Sequence, residues 1–262
     1  MLIARLIADT SALAANLDRA RTLLAAKGIS VAMAETVNSG EDVVELQLPH
    51  GDPAVVREVL DECFAPADLI VVNGPVQIPH VFVSDMDSTM IAAECIDELA
   101  DYAGIKEQIA QITERAMQGE LDFAAALVER VALLKDLGED AIQRCLSERI
   151  AMMPGARALV ATLKAKGCYT VLVTGGLVGG ITDSNVKRAV LLEEMAARGA
   201  GVVSLAMGDG ANDIPMLEAA TMGVAYHAKP KARAAAHGWI DRGDLTSMLS
   251  LLGIPREEWV WE

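Results

Sequence analysis

Two carboxylates two residues apart, Asp85 and Asp87, close the run Val81-Phe82-Val83-Ser84-Asp85-Met86-Asp87-Ser88-Thr89. The Val/Phe run reads as a buried parallel strand, and open α/β sheets bind ligands where such strands deliver polar groups at their carboxyl ends. On a strand the two acids face one side, toward one ligand. One acid suited to a metal and one able to move a proton fit phosphoryl transfer through a covalent aspartyl-phosphate. Further along, Thr174 offers a hydroxyl, Gly175 an unobstructed backbone N–H, and Lys187 a point charge for a phosphate. Asp209 and Asp213 add carboxylates, and acids gathered around Asp85 need a hard cation between them. Oxygen-only ligands and a phosphate favour Mg²⁺. Singly, each of these is an ordinary turn or helix residue; their order and their place at strand ends tie them to one site.

Such groups need a scaffold. Strand-like runs at Tyr169–Val173 and Val202–Met207 alternate with helical segments from Pro154-Gly155 to Lys166 and from Val186 to Arg198. That alternation indicates a doubly wound parallel sheet. Residues 91–150 lack β-branched runs and read as an inserted helical lid. Ahead of them, residues 2–8 read as a strand, and Ser11–Lys27 as a helix stopped by Gly28. Strands follow at 29–36 and 42–48, then a helix opened by Pro53 and a strand at 69–72. This is the split βαβ pattern of a ferredoxin-like α+β domain. Nothing in it looks catalytic, and its shape suits amino-acid binding, packing or dimerisation. Asn73-Gly74-Pro75 through Pro79 has a linker's composition. The expected fold class is α/β, a Rossmann-like parallel sheet with a helical cap and an N-terminal ferredoxin-like domain. The expected divisions are 1–75 for the first domain, 79–90 with 151–262 for the core, and 91–150 for the cap.

The formal charge of −15 argues against nucleic acid and anionic membrane surfaces as partners. Cys63, Cys95, Cys145 and Cys168 show no CxxC spacing and read as small buried hydrophobes in a reduced compartment. The four histidines form no ligand-like pair. No apolar run reaches membrane-spanning length, and the opening residues are too short for a signal core, so a cytoplasmic protein is expected.

Asp85-Met86-Asp87-Ser88-Thr89, Thr174-Gly175-Gly176, Lys187 and Gly208-Asp209-Gly210-Ala211-Asn212-Asp213 together resemble the four motifs of haloacid-dehalogenase-superfamily phosphatases. Glu94-Cys95-Ile96-Asp97-Glu98, Thr113–Met117, Gly119–Phe123, Arg130-Val131 and Tyr226–Pro230 are similar to the members that hydrolyse O-phospho-L-serine, the last step of serine synthesis. The first eighty residues resemble, more loosely, an ACT-like amino-acid-binding domain. The resemblance implies Asp85 as nucleophile, Asp87 as acid and base, and Lys187 as a catalytic charge. It implies Mg²⁺ on the Asp85 and Asp209 carboxylates and the Asp87 carbonyl, with Asp213 supporting them. Thr174, Gly175 and Asn212 would bind the phosphoryl group. Glu94 and Arg130 would read the ammonium and carboxylate of the substrate, with Met117 and Phe123 as pocket walls.

The chain departs from the family at three points. Thr174 replaces a usual Ser, and Leu177 an expected Phe. Only Leu177–Val186 separates Gly176 from Lys187, where relatives carry a helix, a strand and a hairpin. The expectation is a continuous chain with one fewer strand, Tyr169–Thr174 forming an exposed sheet edge and Lys187 still reaching Asp85. The rival is a chain break near Gly176–Ile181. Two other functions stay open: a phosphatase for another small phosphometabolite, and a catalytically impaired amino-acid-binding or interaction protein.

Overall fold

The computed structural model describes residues 1–38, 42–117, 121–175 and 182–261, without the side chains of Asn38, Asp42, Glu114, Ala116, Met117 and Phe123. The strands in chain order are β1 (Leu2–Ile7), β2 (Met33–Asn38), β3 (Asp42–Leu48), β4 (Asp68–Asn73), β5 (Val81–Ser84), β6 (Tyr169–Leu172), β7 (Ser204–Gly208), β8 (Met222–Tyr226) and β9 (Gly238–Ile240). Among the described residues they form one nine-stranded sheet, ordered β2-β3-β1-β4-β9-β8-β7-β5-β6. The five strands from β9 to β6 are parallel; the first four pair antiparallel in the split βαβ order.

Helices α1 (Leu13–Ala26) and α2 (Pro53–Phe64) belong to the first half. Four helices, α3 (Cys95–Tyr102), α4 (Lys106–Met117), α5 (Phe123–Leu133) and α6 (Glu139–Glu148), make up the insertion after β5. They are followed by α7 (Ala156–Ala165), α8 (Ser184–Arg198), α9 (Ile214–Ala219), α10 (Pro230–Ala235) and α11 (Thr246–Leu251). None among the described residues is long and apolar enough to cross a membrane.

Strand β5 shows why the sheet is covered on both sides. Its side chains alternate, so Val81 and Val83 join the apolar layer that holds Leu191 of α8 and Ala206. Phe82 enters the opposite layer with Leu159 and Leu163 of α7. Phe82 is fully buried, which contributes about 1.5–3 kcal/mol. The sheet order sets β5 between β6 and β7.

The first four strands continue the core sheet, through antiparallel pairing of Leu69 with Trp239 and Ile70 with Gly238. Side chains reinforce this joint. Trp239 Nε1 donates to Ala67 O at 3.1 Å, and Arg233 of α10 grips Asp61 of α2 with two hydrogen bonds of 2.9 and 2.7 Å. Buried Asp68 accepts the backbone N–H groups of Asp241, Arg242 and Gly243. At Gly238 the two backbones meet so closely that a Cβ would lie 2.1 Å from Leu69 O. Gly238→Ala is therefore expected to cost about 1–3 kcal/mol, as overpacking does. Calorimetry should show a melting temperature lower by roughly 2–4 °C per kcal/mol, and an unchanged value would mean that the joint gives way freely.

Some boundaries differ from the sequence reading. The strand expected at 29–36 begins at Met33, because Gly28 turns the chain at φ +75° and Ile29 plugs the apolar layer first. Helix α8 begins earlier than expected, at Ser184, because Asp183 caps it by accepting from Asn185 N and Val186 N. Among the described residues strand β6 is the sheet edge, with Tyr169 and Leu172 about half exposed, in line with the expected exposed edge. Arg198 stacks 4.0 Å over the Tyr169 ring. The question of a break at Gly176–Ile181 and the substitution at Leu177 lie outside the described residues.

Candidate active site

The carboxyl ends of β5 and β7 and the segment after β6 open, together with the cap, onto one cavity of about 380 Å³. Asp85 follows β5 directly, and its backbone N–H donates to Met207 O of β7 at 2.9 Å. Asp87, Asp209 and Glu94 bring further acids to the wall. Thr174, Gly175 and Asn212 face the same space, and Arg130 of α5 lines it from the cap. Met117 and Phe123 have side chains outside the described set, so their expected place as walls is not described.

Lys187 lies behind Asp85 and does not itself line the cavity. The Asp183 cap fixes the first turn of α8, and from there the fully buried ammonium reaches two carboxylates. Lys187 Nζ is 2.6 Å from Asp85 Oδ1 and 2.8 Å from Asp213 Oδ1. The short connection after Gly176 thus leaves Lys187 in ion-pair contact with Asp85. Asp213 is held further by Gly210 N, which donates to its second oxygen at 3.0 Å. Gly208 makes the room: a Cβ there would sit 2.4 Å from the Asp213 carboxyl.

Carboxylate oxygens of Asp85, Asp209 and Asp213 all lie within 4.8 Å of one another. Three carboxylates against one ammonium leave a surplus of two negative charges in a buried place. Burial, then repulsion from Asp213, pushes the Asp85 carboxyl up to about 7 despite the pull of Lys187. Burial and Asp213 raise Asp209 to about 6. Burial works against the Lys187 charge, but Asp213 and Asp85 outweigh it and raise its pKa. An oxygen-only cluster short of positive charge fits a hard divalent cation.

Asp87 sits beside the start of α3. Cys95, the first residue of that helix, lowers the pKa of the Asp87 carboxyl, while Oδ1 is buried without a protein partner. Burial raises the Asp87 pKa against the pull of Cys95 and Lys187, which favours a carboxyl that holds a proton. The Cys95 thiol is pushed up to about 12 by burial and then by Asp87, so it stays protonated. Glu94 reaches solvent at the cavity mouth, and the protein on its other sides raises its pKa through desolvation.

Several lining residues escaped the sequence reading. Lys229, exposed at the start of α10, pulls down the carboxyls of Glu94 and Asp209; only its place in the Tyr226–Pro230 motif hinted at it. On α6, Ala141 and Cys145 are buried, while the neighbouring pair Ile142 and Leu146, 52 % and 59 % exposed, lines the cavity. An apolar stripe one residue wider than the helix core needs was the available signal.

Comparison with known proteins places this geometry. Two family models described as haloacid dehalogenase-like hydrolase match residues 79–196 and 181–244. A phosphoserine phosphatase of Albidiferax ferrireducens is 38 % identical over 205 residues, spanning 64 % of this chain and 86 % of that protein. The solved structure of a probable phosphoserine phosphatase from Vibrio cholerae, unliganded, matches with a TM-score of 0.70 at 26 % identity, covering 100 % of this chain and 90 % of the other. A phosphoserine phosphatase solved as a phospho-aspartyl intermediate analogue matches at 0.58 with 30 % identity, over 66 % of this chain and 99 % of the other. On a relative this similar across most of its length, and on both family models, the chain belongs to the haloacid dehalogenase-like hydrolases, in the phosphoserine phosphatase family.

Proposed function

We propose that this enzyme hydrolyses O-phospho-L-serine to L-serine and phosphate, with Asp85 as the nucleophile. An Asp85 oxygen bonds to phosphorus as the bond from phosphorus to the serine oxygen breaks, and Asp87 gives its proton to that oxygen. Asp87 then takes a proton from water, whose oxygen attacks phosphorus and frees the Asp85 carboxylate. Lys187, Thr174, the Gly175 N–H and Asn212 hold the phosphoryl oxygens while charge moves between them. Asp85, Asp209 and the Asp87 carbonyl would hold Mg²⁺, with Asp213 fixing Lys187 beside them. When bound, the cation supplies the positive charge that lets one anion approach another.

One observation carries the choice of substrate: Glu94 and Arg130 line the same cavity as Asp85 and Asp209. An acid and a guanidinium around a phosphate site match the ammonium and carboxylate of a phosphorylated amino acid, and a phosphosugar has no use for the pair. The contact between Lys187 and Asp85 counts against a catalytically impaired chain. We also propose the division 1–75, 79–90 with 151–262, and 91–150, the first part serving regulation or homodimerisation. The four unpaired cysteines support a reducing, cytoplasmic setting.

A phosphate-release screen over phosphorylated amino acids and sugars, with and without Mg²⁺, tests the reading. O-phospho-L-serine should lead the panel only with the cation, and preference for a sugar phosphate would overturn the substrate. Arg130→Ala should raise KM for O-phospho-L-serine about 10–100-fold, the loss of roughly 1.5–3 kcal/mol in a charged hydrogen bond. An aryl phosphate has no carboxylate to lose, and its KM should hold. Equal damage to both substrates would make Arg130 a structural residue.

A further inference from the structure

Resting on the reading of Glu94 as the group that takes the substrate's ammonium, we propose that Ser88 is a positioning residue for substrate specificity, its hydroxyl fixing the Glu94 carboxylate at the cavity wall. Ser88 Oγ donates to Glu94 Oε1 at 2.9 Å. The hydroxyl reaches that point because Ser88 adopts φ +55°, a left-handed backbone that crowds the Cβ of any non-glycine residue. Such a conformation persists only where its surroundings over-determine it. Here they do: Ser88 N donates to Ala93 O at 3.2 Å. The N–H groups of Thr89, Met90 and Ile91 converge on Met86 O at 3.3, 2.8 and 3.1 Å.

The residue after Asp87 holds Glu94. The acid that reads the ammonium is thereby set relative to the acid that moves the proton, by a hydroxyl that touches neither reacting atom. Without Ser88, Glu94, exposed at the cavity wall, regains the rotamer freedom of a long side chain. Ordering it before the substrate arrives removes the ordering cost from binding. The ammonium contact is the same in the bound substrate and the transition state, so the effect falls on KM and spares kcat.

The test measures kcat and KM for O-phospho-L-serine and for p-nitrophenyl phosphate in Ser88→Gly, Glu94→Gln and the double variant. Glycine accepts φ +55° without strain, so Ser88→Gly removes the hydroxyl and keeps the turn. Expected is a KM for O-phospho-L-serine raised about 3–10-fold in Ser88→Gly, as for one hydrogen bond, with kcat unchanged. Its KM for p-nitrophenyl phosphate stays within about twofold, the size of effect that a surface change gives. Glu94→Gln raises the same KM further, and adding Ser88→Gly to it changes nothing more. Parent-like kinetics in Ser88→Gly beside an impaired Glu94→Gln overturn the proposal alone. So does a loss of kcat on both substrates, or an additive double variant. If Glu94→Gln leaves the KM for O-phospho-L-serine unchanged, the reading of Glu94 itself is overturned, and the proposal with it.

Discussion

Asp85→Asn should abolish turnover of O-phospho-L-serine, by a factor on the order of 10⁴ or more, as removal of a covalent nucleophile does. An amide attacks phosphorus poorly and ligates a cation more poorly still. The fold should survive, and the physics gives the sign. Burial and Asp213 raise the Asp85 carboxyl in the folded protein to about 7, against an ordinary value of 3.8. Folding therefore favours the protonated form. The stability Asp85 allows is fully present below pH 3.8 and declines as pH rises through 7. At pH 8, without divalent cation, a neutral Asn removes that burden. Thermal unfolding of Asp85→Asn should then match or exceed that of the parent. A variant that is both inactive and markedly less stable would show Asp85 holding the structure rather than doing chemistry.

Lys187→Met should cost both stability and activity. The ammonium is fully buried between Asp85 and Asp213, and its removal leaves two buried carboxylates without their counter-charge. Breaking a buried pair by removing one partner costs about 3–5 kcal/mol. Urea denaturation should show that loss. The second variant separates structure from chemistry: Lys187→Met with Asp213→Asn removes one of the stranded charges and should recover part of the stability. Turnover should stay lost in both, since neither has a charge on the phosphoryl oxygens. Recovery of turnover along with stability would mean that Lys187 serves only to hold the carboxylates apart.

What the sequence made legible followed from strong local patterns. Val81-Phe82-Val83 reads as a buried strand because all three side chains are buried on two covered faces, and the polar residues begin where the strand ends. The same holds for the acids after Met207, and for Lys187, whose helix is capped by Asp183. What stayed hidden depended on distant partners or on short elements. Gly238-Trp239-Ile240 is three residues long, too short for any periodicity to show, yet it joins the two halves of the sheet. Arg233 and Asp61, which lock that joint, are 172 residues apart. The hold of Ser88 on Glu94 needs a left-handed backbone at a serine, where glycine would be the usual marker. Ile142 and Leu146 are exposed apolar residues whose place at the cavity no local pattern fixes.

The central claim is a phosphoryl group carried on Asp85, and it can be caught. The enzyme is mixed with O-phospho-L-serine and Mg²⁺, quenched in acid during turnover, and treated with borohydride, which reduces an acyl phosphate to an alcohol. Peptide mass spectrometry should then find homoserine at position 85 in the parent, and aspartate there when substrate is omitted. Homoserine at another position, or an unreduced Asp85 in enzyme that is turning over with the intermediate accumulated, would contradict the account.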